Sequence, residues 1–322
     1  MSQQDDQEAF SKLVDRIGSA HAGKRLEMQA HYSALLLSGQ HIHVHMEEFP
    51  TVAWLLKTVL KTTGLWPIAV NNSTRYRIIE HSVPLPHLPP AFDGFRILHL
   101  SDLHIEGMIN KGCALKAALS GLQYDLCVMT GDFRFLTYGH YDKTLTLMES
   151  LVKEIQAPFG VTGILGNHDW LEMVPGLERG GMRMLINETQ ALEKGSDAIW
   201  LLGLDDIHYY ETGDLKKTVG LAPKENVRIL LVHSPEIIPE ASKAGMDLYL
   251  CGHSHGGQIC LPGGHPILTH CRCPRSYKAG PWQYQTMRGY TSRGVGTSLF
   301  PIRLFCQPEI IIHTLKKTPH NR

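Results

Sequence analysis

From Phe95 onward the chain alternates short runs of consecutive apolar residues with amphipathic stretches of helical length. The runs "FRILHLSD", "DLCVMTGD", "GVTGILGN", "AIWLLGLDD", "VRILLVHS" and "DLYLCGHS" are short and rich in Leu, Ile and Val, so they predict buried strands. Helical spacing predicts helices over residues 112–121, 144–155, about 174–180 and 235–244. Strands that alternate with helices predict an α/β layered fold rather than a bundle. The tail, "GYTSRGVGTSLFPIRLFCQPEIIIHTL", predicts glycine-rich loops and further strands.

The first ninety or so residues follow a different pattern. Residues 7–38 carry helical charge patterning, "HIHVH" follows, and the proline-rich "VPLPHLPP" predicts a connector. The expected division is therefore a mainly helical extension and linker over 1–92 and an α/β domain over 93–322. His41, His43 and His45 would share one face of an extended segment. They lack a nearby carboxylate, which favours a solvated or core-edge face over a metal site. In "TVAWLLKTVLKTTGLWPIAV", Val52, Leu55, Leu56, Val59 and Leu60 fall at helical spacing beside Lys57 and Lys61. The lysines and Pro67 exclude a membrane span. Two readings stay open: an interfacial helix using Trp54, Trp66 and the lysines, or a helix packed on the protein's own core.

Composition narrows the function classes. At 322 residues and 43% hydrophobic, the chain can bury a large core. Its 31 basic residues equal its 31 acidic ones, so no overall field attracts nucleic acid, and no nucleic-acid partner is expected. Seven cysteines, an odd number, without an opening charged-then-apolar segment predict free thiols in the cytoplasm. Cys271 and Cys273, with His265 and His270 nearby, could form a small zinc site. The lack of a second ligand pair at zinc spacing favours ordinary thiols. Histidine, at 19 residues, is the conspicuous excess.

Those histidines gather where apolar runs stop. The strand ends deliver Asp102 and His104; Asp132; Asn167, His168 and Asp169; His233; and His253 with His255. Ligands of open α/β sheets bind outside the carboxyl ends of strands, so these residues predict one site. Carboxylate, amide and imidazole donors without thiolate suit manganese, iron or zinc. Seven candidate ligands exceed the shell of one ion, whereas two ions sharing a carboxylate are a common device for phosphate-ester displacement.

In this order, Asp102-x-His104, Gly131-Asp132, Gly166-Asn167-His168-Asp169, His233 and Gly252-His253-Ser254-His255 resemble the signature of calcineurin-like metallophosphoesterases. The match runs from about Phe95 to His255. The resemblance implies a four-layer αββα sandwich over 93–322 and two divalent ions, with manganese first and iron or zinc as options. It implies Asp102, His104 and His255 on one ion, Asn167, His233 and His253 on the other, and Asp132 bridging them. Hydroxide held between the ions would then attack phosphorus. It further implies His168 as the group that stabilises charge or protonates the leaving oxygen, with Asp169 orienting it. Arg134, two residues past Asp132, is expected to bind substrate phosphate, and Arg272, Arg275, Lys278 and Arg293 are candidates for the same mouth.

The segments "GHSHGGQICLPGG", "GYTSRGVGTS" and "PEIIIHTL" resemble the bacterial UDP-diacylglucosamine pyrophosphatases of lipid A synthesis. That branch implies a nucleotide-linked lipid substrate and peripheral contact with the inner face of a membrane. A broader phosphodiesterase or phosphatase on a soluble substrate and a non-catalytic binding module are the competing functions.

Overall fold

Short apolar runs flanked by helices assemble into two facing sheets in the computed structural model, which describes residues 3–38, 50–267, 269 and 271–318. The "HIHVH" histidines lie outside the described residues. The first sheet contains β1 (Arg77–Leu85), β2 (Arg96–Leu100), β3 (Leu126–Met129), β4 (Val161–Gly163), β5 (Met182–Met184) and β14 (Glu309–Lys317). Its order is β1-β14-β2-β3-β4-β5. The second contains β6 (Glu188–Lys194), β7 (Asp197–Gly203), β8 (Arg228–Leu231), β9 (Leu248–Cys251), β12 (Gly280–Tyr284) and β13 (Met287–Thr291), ordered β12-β13-β9-β8-β7-β6. A short antiparallel pair, β10 (Cys260–Leu261) and β11 (His265–Pro266), stands apart.

Strand periodicity sorts the side chains into layers. Ile97, Leu126 and Val128 point inward and meet Leu201, Ile229, Leu231 and Leu250 of the second sheet. Their neighbours Leu98, Cys127 and Met129 point outward, onto α5 (Cys113–Leu119), α6 (Asp142–Val152) and α7 (Val174–Arg179). On the far side, Leu230 and Tyr249 pack with α8 (Leu215–Val219) and α9 (Ile238–Lys243). The result is the expected αββα sandwich. β2, β3 and β4 run parallel, as do β7, β8, β9 and β13, so each set brings its carboxyl ends to one edge.

The amino-terminal helices α1 (Gln3–Ile17) and α2 (Ser19–Ser38) lie on this sandwich, with Leu13, Ile17 and Ala22 buried in its outer core. Arg16 forms ion pairs with Glu178 at 2.9 Å and Glu188 at 3.1 Å. α3 (Pro50–Thr62) and α4 (Trp66–Asn72) turn Leu60 and Ala69 onto Ile302 and Leu304. One expectation is corrected: the first part of "VPLPHLPP" is strand rather than connector, because Val83, Pro84 and Leu85 pair with Leu315, Lys316 and Lys317. Pro84 is tolerated there because β1 is an edge strand, bonded only to β14.

Candidate metal centre

Five of the seven candidate ligands leave their strands through turns that ordinary side chains resist. Asp102, His104, Asp132, His253 and His255 all have positive φ, between 43° and 67°, a region non-glycine residues occupy at a cost. Glycines make the crowding possible. A Cβ on Gly252 would collide with the Ser101 and Asp102 side chains, and one on Gly166 with the Asp132 carboxylate.

These turns converge. The His104 and His255 Nε2 atoms lie 3.2 Å apart, and His255 Nε2 lies 3.6 Å from Asp102 Oδ1. Asp132 Oδ2 sits 3.6 Å from His104 Nε2 and 3.3 Å from His233 Nε2. His253 joins Asp132 and His233 in a second group whose ligand atoms all lie within 4.8 Å of one another. Asp132 thus belongs to both halves of the cluster. The set is buried throughout, from Asp102 at 0% exposure to His253 and His255 at 8%.

The supporting atoms orient the rings. His104 Nδ1–H donates to the Arg134 carbonyl and His233 Nδ1–H to the Thr130 carbonyl, both at 2.7 Å, which turns each Nε2 into the cluster. The His253 backbone N–H donates to Asp102 across the two sheets at 3.0 Å. Arg303, fully buried, donates to the His255 carbonyl at 3.2 Å. Burial first, and then neighbouring His104, holds the His255 imidazole well below its usual range and therefore neutral, the form a ligand needs. Burial opposes ionisation of Asp132, but His233, His168 and His104 together hold its carboxyl well below the carboxylate range. Asn167 Oδ1 is buried without a hydrogen-bond partner. An orphaned amide oxygen beside two carboxylates and four imidazoles fits a pair of divalent cations.

The structure revises two assignments. Asp169 does not orient His168. Its carboxylate accepts backbone N–H groups from Asp132, Phe133, Arg134 and Gly166 at 2.8–3.2 Å, tying the two ligand turns together. Burial, then Asp132, pushes it up to about 7 against those donors. The group that orients His168 is the Phe135 carbonyl, 2.8 Å from Nδ1. Arg134 is enclosed at 0% exposure, lies 4.6 Å from the Trp170 ring centre and donates to the Tyr138 and Gly139 carbonyls. Through Nη2 it braces a loop, while Nε and Nη1 are buried without a hydrogen-bond partner.

The tail cations spread out. Lys278 donates to Thr269, Arg293 faces Glu309 at 3.8 Å, and the Arg272 backbone N–H donates to Glu236. Cys271 and Cys273 are free thiols, the first buried and the second partly exposed. Among the described residues no cluster of metal-ligand type includes them, and His270 lies outside those residues. The sequence did carry one unused signal. "AIWLLGLDD" also ends in acids: Asp205 pairs with buried Arg25, while Asp206 accepts the backbone N–H groups of His208, Tyr209 and Tyr210.

Comparison with known proteins agrees with this geometry. Residues 95–257 match the family model described as calcineurin-like phosphoesterase. The chain is similar to the uncharacterized metallophosphoesterase YkuE of Bacillus subtilis, at 32% identity over 74% of this chain and 85% of that protein. It is also similar to YkoQ, an uncharacterized metallophosphoesterase of the same organism, at 28% identity over 70% of this chain and 85% of that protein. The phosphodiesterase YaeI of Escherichia coli is 29% identical over 67% of this chain and 80% of its own length. With its clustered ligands and this family match, the chain belongs to the calcineurin-like phosphoesterases, metal-dependent hydrolases of phosphoesters.

Proposed function

We propose that the protein hydrolyses a phosphodiester or pyrophosphate bond in an amphiphilic substrate of the nucleotide-linked, UDP-diacylglucosamine type, working at the inner face of a membrane. The observation that carries this reading is the apolar surface beside the His255 half of the site. Trp54 is 67% exposed and Leu55 56%, with Val59 and Ile68 also exposed, while Leu56 and Leu60 turn inward. Lys57 and Lys61 stand by this surface, each within 6 Å of the Trp66 ring centre. The helices pack on Ile302 and Leu304, which flank the Arg303 that braces His255. Apolar area with adjacent lysines is what adhesion to anionic lipid requires. No helix among the described residues is long and apolar enough to cross a membrane.

When bound, two divalent ions, with manganese first and iron or zinc as options, would supply Lewis acidity and a nucleophile at neutral pH. Asp102, His104 and His255 would hold one, Asn167, His233 and His253 the other, and Asp132 both. His168 is the proton donor to the leaving oxygen: Phe135 fixes its Nδ1, and Nε2 faces the cluster 3.9 Å from Asp132 Oδ2. The buried walls exclude bulk water, so these charges act at low dielectric.

The test pairs Leu55→Glu and Val59→Glu in one chain, both exposed positions. We expect KM for a diacylated nucleotide-linked substrate to rise on the order of tenfold or more as buried apolar area is lost. Sedimentation with anionic vesicles should weaken, and hydrolysis of bis(4-nitrophenyl) phosphate should stay unchanged. A folded variant with unaltered sedimentation and lipid turnover would favour the second reading, a phosphodiesterase of soluble substrates. Product analysis in isotopically labelled water then names the bond broken.

A further inference from the structure

The amino-terminal helix α2 reaches the centre of the molecule through one side chain. Arg25 is fully buried. Its Nη2 donates to the backbone carbonyl of Asp169 at 2.9 Å, one peptide beyond His168. Its Nε faces Asp205 Oδ1 at 3.3 Å, and its guanidinium carbon lies 3.4 Å from the centre of the Tyr210 ring. One turn further along α2, Gln29 accepts the Leu171 backbone N–H at 2.8 Å and donates to Glu172. Residues four apart share a helix face, so both grip the same segment.

That segment is the turn following β4, which carries Asn167 and His168. The Asp169 carboxylate holds it from within against the turn following β3. Arg25 and Gln29 hold it from outside. Asp205 and Tyr210, however, belong to the loop following β7, in the second sheet. A single planar guanidinium therefore ties a ligand turn of one sheet to a loop of the other. Burial works against ionisation of Asp205, yet Arg25 and then His21 hold its carboxyl well below the usual range. The bridge is charged on both sides.

We infer that Arg25 is a positioning residue for phosphoester hydrolysis, supplied from outside the matched stretch 95–257, and that it acts by fixing the backbone that aims His168. The inference rests on the reading of His168 as proton donor to the leaving group. Lysine cannot replace it, because a compact ammonium cannot donate in two fixed directions while stacking on Tyr210.

The experiment compares full-length Arg25→Gln, Arg25→Lys and His168→Ala with phenyl and 4-nitrophenyl phosphodiesters. Phenolate needs a proton donor, and 4-nitrophenolate departs largely without one. Arg25→Gln should lower kcat for the phenyl ester by about 10–100-fold, the cost of a small misplacement. For the nitrophenyl ester the loss should be only a few-fold, with KM and bound metal unchanged. Arg25→Lys should fail to restore the phenyl rate, and Arg25→Gln should cost nothing further in a His168→Ala background. Equal losses on both esters, or loss of an ion, would overturn the inference in favour of a plain structural brace. A His168→Ala enzyme indifferent to the leaving group would overturn the underlying reading itself. A sensitive His168→Ala beside an indifferent Arg25→Gln would overturn only the role of Arg25. If Arg25→Gln does not fold, Arg25→Lys, which keeps the buried charge, carries the same comparison.

Discussion

At Asp132 a single residue meets three demands: a left-handed backbone, a carboxylate shared by both groups of ligands, and an acceptor for the His168 backbone N–H at 2.9 Å. A side chain in that backbone region costs on the order of 1 kcal/mol, and persists because the surrounding bonds over-determine it. Removing the carboxylate leaves His233, His104 and the His168 turn without their common partner. Asp132→Ala should therefore lose both ions and all measurable turnover. For His168 we propose a different demand, proton donation to the leaving oxygen, although its Nδ1 faces a carbonyl as those of His104 and His233 do. His168→Ala should keep both ions and lose turnover by about 10²–10⁴-fold, as general acids do. Elemental analysis beside kinetics separates the two; an ion lost from the His168 variant would make that residue a ligand.

Among the elements, the parallel strands were legible because burial on both faces makes each a short continuous apolar run, and the ligand follows where the run ends. β1 was not legible. Its polar alternation and Pro84 suit an edge strand and equally a linker, and only its pairing with β14, more than two hundred positions away in sequence, decides. The roles of Asp169 and Arg134 escaped for a related reason. Both side chains bond backbone groups, which carry no sequence signature. Between the sheets lies a further cluster that composition hinted at but spacing concealed. His99, His313 and His81 come from β2, β14 and β1, with ring nitrogens 3.3 Å and 2.9 Å apart along the row. Burial pushes His99 down to about 3 and, with His99 and His81 adding, holds His313 well below the usual imidazole range. The folded state thus keeps both neutral while the unfolded chain protonates near pH 6.5, so their stabilisation is intact above that pH and is lost as pH falls toward 3. Each should cost about 1.4 kcal/mol per pH unit, or roughly 2 kcal/mol between pH 6.5 and 5. Urea midpoints should fall across that window in the native chain and fall much less in the His99→Gln, His313→Gln variant. Parallel slopes for the two proteins would refute it.

For the whole molecule, the ligands divide between the sheets: Asp102, His104, Asp132 and Asn167 follow strands of the first, and His233, His253 and His255 follow strands of the second. Each proposed ion therefore draws on both sheets, and ion binding becomes a bond between two layers otherwise joined chiefly by apolar packing. Because the unfolded chain cannot assemble such a site, binding free energy adds to folding free energy. At a hundredfold excess over Kd one site contributes about 2.7 kcal/mol. For a chain of 322 residues that amounts to a rise in Tm of about 4 °C per site. Thermal unfolding after chelation and again with graded manganese should show a logarithmic rise with free metal. Replacing one ligand from either sheet, Asp102→Ala or His233→Ala, should remove much of that rise even though the two residues sit on opposite layers. The same variants serve as controls for metal bound elsewhere on the surface, because adventitious binding would stabilise them as much as the native chain. A Tm that ignores both chelator and manganese, in a protein that still hydrolyses phosphoesters, would mean that the sheets hold the site open without help and that the ions do chemistry alone.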